Sequence, residues 1–224
     1  MTGNTPAASN RPRVPPAERL VFFTDAVVAI AMTLLILPLM ESIGDAPDEG
    51  DTLHWLGAHR SQLVSFVLSF VIISVFWRAH HRLFEHVATV TQGLFVLDFC
   101  WMFTVVWLPI ATALTGAMRT FDPESRAYDR TLVLLYIGTL AVNSLLLYVM
   151  SVVVRRTPAT WRPDDPPTRR MGEAVNLSMT ILFSLAAVLA LLFPAINMAT
   201  MLLLFFTGPL ANLLLRRSTP PSAP

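Results

Sequence analysis

Four side chains that can hold a charge or pass a proton fall inside otherwise apolar stretches: Asp25, His80, His81 and Asp98. An ionisable group inside a membrane span costs roughly 2.5–3.5 kcal/mol on insertion scales, so it faces protein or water and finds a partner there. Two chemistries suit such an Asp/His set. One is a hydrogen-bond network that pins helices together. The other is a proton relay or an ion-contacting site. Asp25 and Asp98 fall at similar depth, which leaves an aspartyl dyad formally open, but no Ser–His or other nucleophile–base arrangement accompanies them. The chain is therefore not read as an enzyme. Cys100 is the only cysteine, which excludes an intrachain disulfide and a zinc cluster of the usual kind.

The elements that must position these groups are apolar helices. Of 224 residues, 54% are hydrophobic and 14% are charged, where a soluble domain carries about 25% charge. Apolar runs of about 20 residues recur, each able to cross a hydrocarbon core roughly 30 Å thick. Backbone groups in lipid must bond within their own element, so these runs read as helices. The expected fold is an all-α integral membrane protein of about six transmembrane helices, over residues 17–40, 59–84, 92–115, 130–154, 171–193 and 195–215. Pro15-Pro16 before the first helix and Glu18 in its first turn suit a helix start. The first run is too long for a signal-peptide core, so it is taken as a retained helix. Segments 1–16 and 216–224 read as disordered tails, and 155–170, with its prolines and arginines, as a loop.

All sixteen basic residues are arginine. With the N-terminus inside, twelve of them fall on one side and four on the other (Arg60, Arg119, Arg126 and Arg130). The positive-inside rule then places both termini in the cytoplasm. No basic tract with interleaved aromatics points to nucleic acid. The arginines of the 155–170 loop could also touch anionic lipid headgroups.

Topology brings the polar groups to one level. Asp25 lies in the inner third of the first helix, Trp77 and His81 in that of the second, and Asp98 at similar depth in the third. On a wheel of about 100° per residue, Ile30, Thr33, Leu34 and Leu37 share a face and Asp25 points well away from it. Arg19 and Asp25 diverge by about 120°, so each needs a partner from another helix.

The run Arg19-Leu-Val-Phe-Phe23-Thr24-Asp25, followed by Ile30 and Thr33-Leu34-Leu35, resembles the Arg-x-x-x-Phe-Ser-Asp signature opening the first helix of the transmembrane protein 175 family. These are endosomal and lysosomal potassium channels and their prokaryotic relatives. Phe76-Trp77-Arg78-Ala79-His80-His81-Arg82-Leu83-Phe84 is similar to the Trp/His segment that ends the family's second helix. The resemblance covers Glu18 to about Thr115; the rest of the chain matches mainly in hydropathy. The length suits the prokaryotic members, which have one six-helix unit.

The resemblance implies a homotetramer whose four first helices line a central pore. Ile30 matches the principal constriction and Thr33 the hydroxyl ring, with Leu34 and Leu37 continuing a narrow apolar stretch that gates by dewetting. It also implies that Arg19, Phe23, Thr24, Asp25, Trp77, His81 and Asp98 form the interhelical network that sets the angle of the first helix. Thr24 stands where the family has Ser, and Asp98 where an Asn is expected. A carboxylate there could pair with Arg19 or a protonated His81 and make gating sensitive to pH. The implied activity is a potassium-permeable cation channel, weakly selective over sodium and open to protons as well. No cofactor is implied beyond the permeant potassium ion. The implied partners are further copies of the chain and membrane lipid, and the setting is the bacterial plasma membrane. The competing reading is a proton-coupled secondary transporter with Asp25, Asp98 and His81 as relay. The sequence gives it neither a strongly interrupted span nor an inverted repeat.

Overall fold

The computed structural model describes residues 17–44, 52–117, 130–161, 170–192 and 207–218. Its helices are α1 (Ala17–Leu34), α2 (Leu37–Gly44), α3 (Thr52–Ala58), α4 (Arg60–Phe84), α5 (Gln92–Ala117), α6 (Arg130–Arg156), α7 (Arg170–Leu192) and α8 (Thr207–Ser218), with a 3-10 turn at Pro158–Thr160. Five stretches are long and apolar enough to cross a membrane: residues 17–43, which join α1 and α2, then α4, α5, most of α6, and α7. The chain is a multi-pass membrane protein. The expected sixth span is described only from Thr207 onward, as α8 packed on α7. The tail at 1–16, the far end of the C-terminal tail and residues 162–169 of the expected lipid-contacting loop lie outside the described residues.

The first span departs from the continuous helix expected over 17–40. It breaks at Leu35-Ile36 and restarts as α2. The cause is Pro38, which has no amide hydrogen to donate and whose ring crowds the carbonyl four residues back. The turn is closed instead by Ile36 N–H to the Thr33 carbonyl (3.3 Å) and Leu39 N–H to the Ile36 carbonyl (3.0 Å). Between α2 and α4 the chain also forms the short α3, on a stretch with no helix expected before residue 59.

The α4–α5 contact follows from small residues. Ser61, Ser65 and Ser69 recur every fourth position, so they share one face of α4, and all three are buried. Small side chains let two helices approach closely where lipid supplies no hydrophobic drive between them. At Gly116 of α5 the approach is close enough that a Cβ would stand 3.1 Å from the Gln62 Cα. Thr112 Oγ1 lies 2.8 Å from Ser69 Oγ, which is 2.8 Å from the Tyr136 hydroxyl of α6. The same stripe of α4 continues as Ile73, Phe76, His80 and Phe84, all buried.

At the arginine-rich end, three connections meet. The Ala17 amide at the start of α1 donates to the Ala88 carbonyl (3.1 Å), and the Ala88 amide donates to the Thr160 carbonyl (2.8 Å). Val87 and Trp161 form an antiparallel bridge. Trp161 Nε1 donates to the Val154 carbonyl (2.7 Å), filling one of the acceptors left over at the end of α6. Arg155 pairs with Glu173 of α7 at 2.8 Å.

Candidate functional site

Helix α1 lies between α4 and α5 and buries Ala17, Leu20, Thr24, Val28 and Ala31 against them. The opposite face has no partner among the described residues. It carries Phe22, Ala26, Ala29, Ile30, Thr33 and Leu34, all exposed, with Ile30 at 59%. The Thr33 hydroxyl donates to the Ile30 carbonyl at 2.8 Å. Its hydrogen is therefore committed to the helix, and its oxygen lone pairs stay free on the exposed face. Leu37 is also exposed, but it follows the break, so its bearing on a continuous wheel does not carry over to α2.

Behind this face lie two polar clusters, one on each flank of α1. On the α4 flank, Trp77 Nε1 donates to Asp25 Oδ1 at 2.8 Å. His81 Nδ1 stands 4.0 Å from Asp25 Oδ2, beyond hydrogen-bond reach, and stacks at a tilt against Trp77. On the α5 flank, Phe23 stacks on Phe99 with centroids 6.0 Å apart.

The second cluster is fully enclosed. His80 Nε2 lies 2.6 Å from Asp98 Oδ1, and neither side chain has any exposure. With Asp98 as a carboxylate, Nε2 carries the hydrogen and donates it. Thr24 Oγ1 is 3.0 Å from Asp98 Oδ2 and 2.9 Å from the Leu20 carbonyl, so one hydroxyl hydrogen faces two acceptors. The His80 ring is sandwiched by Trp101 at 4.4 Å and Phe84 at 4.5 Å. Trp101 Nε1 donates to Asn143 Oδ1 of α6 (3.0 Å), whose Nδ2 donates to Thr104 Oγ1 (2.6 Å). Contacts thus run without a gap from α1 through α5 and α4 to α6.

This arrangement corrects the expected network in three places. The histidine that holds Asp98 is His80, not His81. Arg19 is exposed and makes no hydrogen bond or ion pair among the described residues, so it does not reach Asp98 or Asp25 within one chain. Asn143 belongs to the cluster and was not anticipated. The signal for His80 was present in the sequence. It continues the four-residue rhythm of Ser61, Ser65 and Ser69 through Phe76 to Phe84, which is the buried face of α4. His81 sits one residue, or about 100°, off that face.

Residues 19–109 match the family model described as endosomal/lysosomal potassium channel TMEM175. That segment holds the α1 signature, the Trp/His end of α4, and Asp98 and Trp101 of α5. Over its first three spanning helices, the chain is similar to the TMEM175 family. A potassium channel of Streptomyces collinus is 38% identical over 107 residues, which are 48% of this chain and 51% of that one. The mouse endosomal/lysosomal proton channel TMEM175 is 37% identical over 106 residues, 45% of this chain and 21% of that one. The chain thus spans about half, or much less, of these relatives' lengths. The fold extends further than the sequence match. The solved structure of a lysosomal potassium-selective channel TMEM175 homolog from Chamaesiphon minutus superposes with a TM-score of 0.60 at 21% identity, over 91% of this chain and 98% of that one. The potassium channel MtTMEM175 gives 0.62 at 18% identity, over 97% and 99%. The TMEM175 channel fold therefore covers nearly all of the chain.

Proposed function

We propose that this chain is a potassium-permeable cation channel, weakly selective over sodium and permeable to protons. Four copies surround a central pore lined by α1, with both termini cytoplasmic, in a bacterial plasma membrane. The observation that carries the reading is the unpartnered face of α1. It bears Ile30, Thr33 and Leu34 and turns away from the chain's own bundle. Around a fourfold axis that face becomes rings of isoleucine, threonine and leucine, with Leu37 continuing the series beyond the break. An apolar ring closes by dewetting, and a small widening wets it. The free lone pairs of Thr33 supply oxygen to a passing cation. The names of the relatives support both ions: the Streptomyces protein is called a potassium channel and the mouse protein a proton channel.

In this reading Asp25, Trp77, His80, Asp98 and Thr24 do not touch the ion. They fix the rotation and tilt of α1, with His81 and Phe23 packed beside them. Arg19 stands at the mouth of α1.

The transporter alternative loses one argument and keeps another against it. The first span is interrupted at Leu35-Ile36, a feature that transporters share. Yet the His80–Asp98 pair has no exposed side chain among the described residues, with aromatic rings against the histidine, and the named relatives are channels. The test is potassium flux from proteoliposomes of the full chain. Flux should follow the potassium gradient with no counter-substrate, and Ile30→Asn should raise it several-fold while narrowing the preference over sodium. Strict coupling to a proton gradient, with Ile30→Asn silent, would favour the transporter.

A further inference from the structure

The polar ties of α1 to other elements sit in its first half. The Ala17 amide donates to the Ala88 carbonyl (3.1 Å), Thr24 Oγ1 lies 3.0 Å from Asp98 of α5, and Asp25 accepts from Trp77 of α4 (2.8 Å). Beyond them, toward the outer end, α1 is seated by the apolar side chains of Val28 and Ala31.

The tie at Ala17 differs from the other two. The first amides of a helix have no carbonyl of their own helix within reach. Pro16, just before it, has no amide hydrogen at all. The acceptor that Ala17 finds lies in the connection 85–91 between α4 and α5, and that connection is itself held by the one after α6. The Ala88 amide donates to the Thr160 carbonyl (2.8 Å) and the Thr89 hydroxyl to the Ala159 carbonyl (3.3 Å), while Val87 bridges to Trp161. The Trp161 indole donates in turn to the Val154 carbonyl of α6 (2.7 Å). Val87 and Thr160 are buried, so water does not compete for these bonds. One line of contacts thus joins the end of α6 to the first turn of α1.

The geometry makes that line a lever. Helix α1 is unbroken from Ala17 to Leu34, so its first half moves with its second. At about 1.5 Å per residue, Ala17 lies about 10 Å to one side of Thr24 and Ile30 about 9 Å to the other. With Thr24 and Asp25 as the fulcrum, a sideways shift at Ala17 reappears at Ile30 with nearly the same size and the opposite sense. A constriction that closes by dewetting responds to a small change of radius.

We infer that the connections 85–91 and 157–161 form a strap that sets the tilt of α1. Val87 and Trp161 are its positioning residues, acting on the Ile30 constriction from a distance. This rests on the pore reading and adds a control point for it at the end of α6.

The test is potassium flux from proteoliposomes of the full chain. Trp161→Phe keeps an aromatic ring and deletes one bond of the strap. Ala17→Pro deletes another, at a position where a helix accepts proline. Each should shift flux several-fold while the melting temperature stays close to that of the unaltered chain. Because both act through one line of contacts, the double variant should shift flux no further than the larger single. Shifts that multiply in the double variant overturn the strap. So does flux unchanged in both singles while Ile30→Asn still raises it, and the pore reading then stands. If Ile30→Asn is silent too, both readings fall.

A reversible variant separates tilt from folding. Cys100 is exposed and is first replaced by Ser. Val87→Cys with Trp161→Cys then places two thiols at bridge partners, whose Cα atoms stand about 4.5–5.5 Å apart in an antiparallel pair. That is within reach of a disulfide. Flux from one preparation should differ several-fold between the oxidised and the reduced state, with loss of free thiols reporting the bond. Equal flux in the two states, or thiols that do not pair, overturns the proposal.

Discussion

The Nε2 of His80 lies 2.6 Å from Oδ1 of Asp98, and the aromatic rings of Phe84 and Trp101 enclose the histidine. A polar pair at this depth is stable only while both members remain. Removing one leaves the other buried without a partner, a loss of about 1–3 kcal/mol and more for a charged group. Asp98→Leu should therefore lower the melting temperature in detergent sharply. Asp98→Asn keeps an acceptor for His80 and should cost far less. If Asp98 also makes gating sensitive to pH, the dependence of conductance on pH should flatten in Asp98→Asn. An unchanged profile removes Asp98 from gating.

Trp77 reaches Asp25 through one indole hydrogen at 2.8 Å. Trp77→Phe deletes that donor with little loss of volume, and the carboxylate loses its only hydrogen bond among the described residues. Hydrogen bonds to charged groups contribute about 1.5–3 kcal/mol. The expected outcome is a lower melting temperature and, if the bond sets the rotation of α1 as proposed, a changed open probability. Single-channel recording on the variant checks the second part; unaltered gating would reduce Trp77 to packing.

Gly116 of α5 admits a close approach to α4. A methyl there would press on the Gln62 backbone at 3.1 Å, and a backbone does not move aside as a long side chain does. Gly116→Val should destabilise by about 1–3 kcal/mol, the usual range for overpacking. Gly138, with open space around its Cβ position, is the control. Gly138→Ala should leave the melting temperature nearly unchanged or raise it.

Pro38 ends the first helical stretch. Pro38→Ala restores an amide hydrogen opposite the Leu34 carbonyl, and a proline inside a helix costs about 3 kcal/mol. Hydrogen exchange at residues 35–39 should slow. If the break matters to the pore, conductance should change as well, since Leu34 and Leu37 lie on either side of it.

The Thr33 oxygen is proposed to meet the ion. Thr33→Val keeps shape and removes the oxygen. Selectivity for potassium over sodium should fall while assembly, read as mass in detergent, stays the same. An unchanged reversal potential would confine selectivity to Ile30.

Much of this protein was legible from the sequence because lipid is a harsh solvent. Apolar length reports the spans directly, and the α1 signature with the Trp77–Phe84 segment pointed to the family whose model matches residues 19–109. Bearing around the axis of α1 also followed from the sequence: Ile30, Thr33 and Leu34 share the face that the bundle leaves free. Asp25 lies on the flank of α1 that meets Trp77 of α4, a bearing that periodicity suggests within one unbroken helix. What the sequence could not decide is how helices rotate against each other. His80 and His81 are neighbours of the same type, and only the packing of α4 on α5 through Ser61, Ser65 and Ser69 turns the first inward to Asp98. That rotation is set by steric fit across two helices; α4 alone offers only the four-residue rhythm of Ser61, Ser65 and Ser69 that His80 continues. The break at Leu35-Ile36 was there to be read in Pro38, but whether a proline kinks, breaks or is absorbed depends on its surroundings, and Pro109 sits inside an unbroken α5. The tertiary structure alone assigned Asn143 to the network and Arg19 to the surface, because those contacts join residues far apart in the chain.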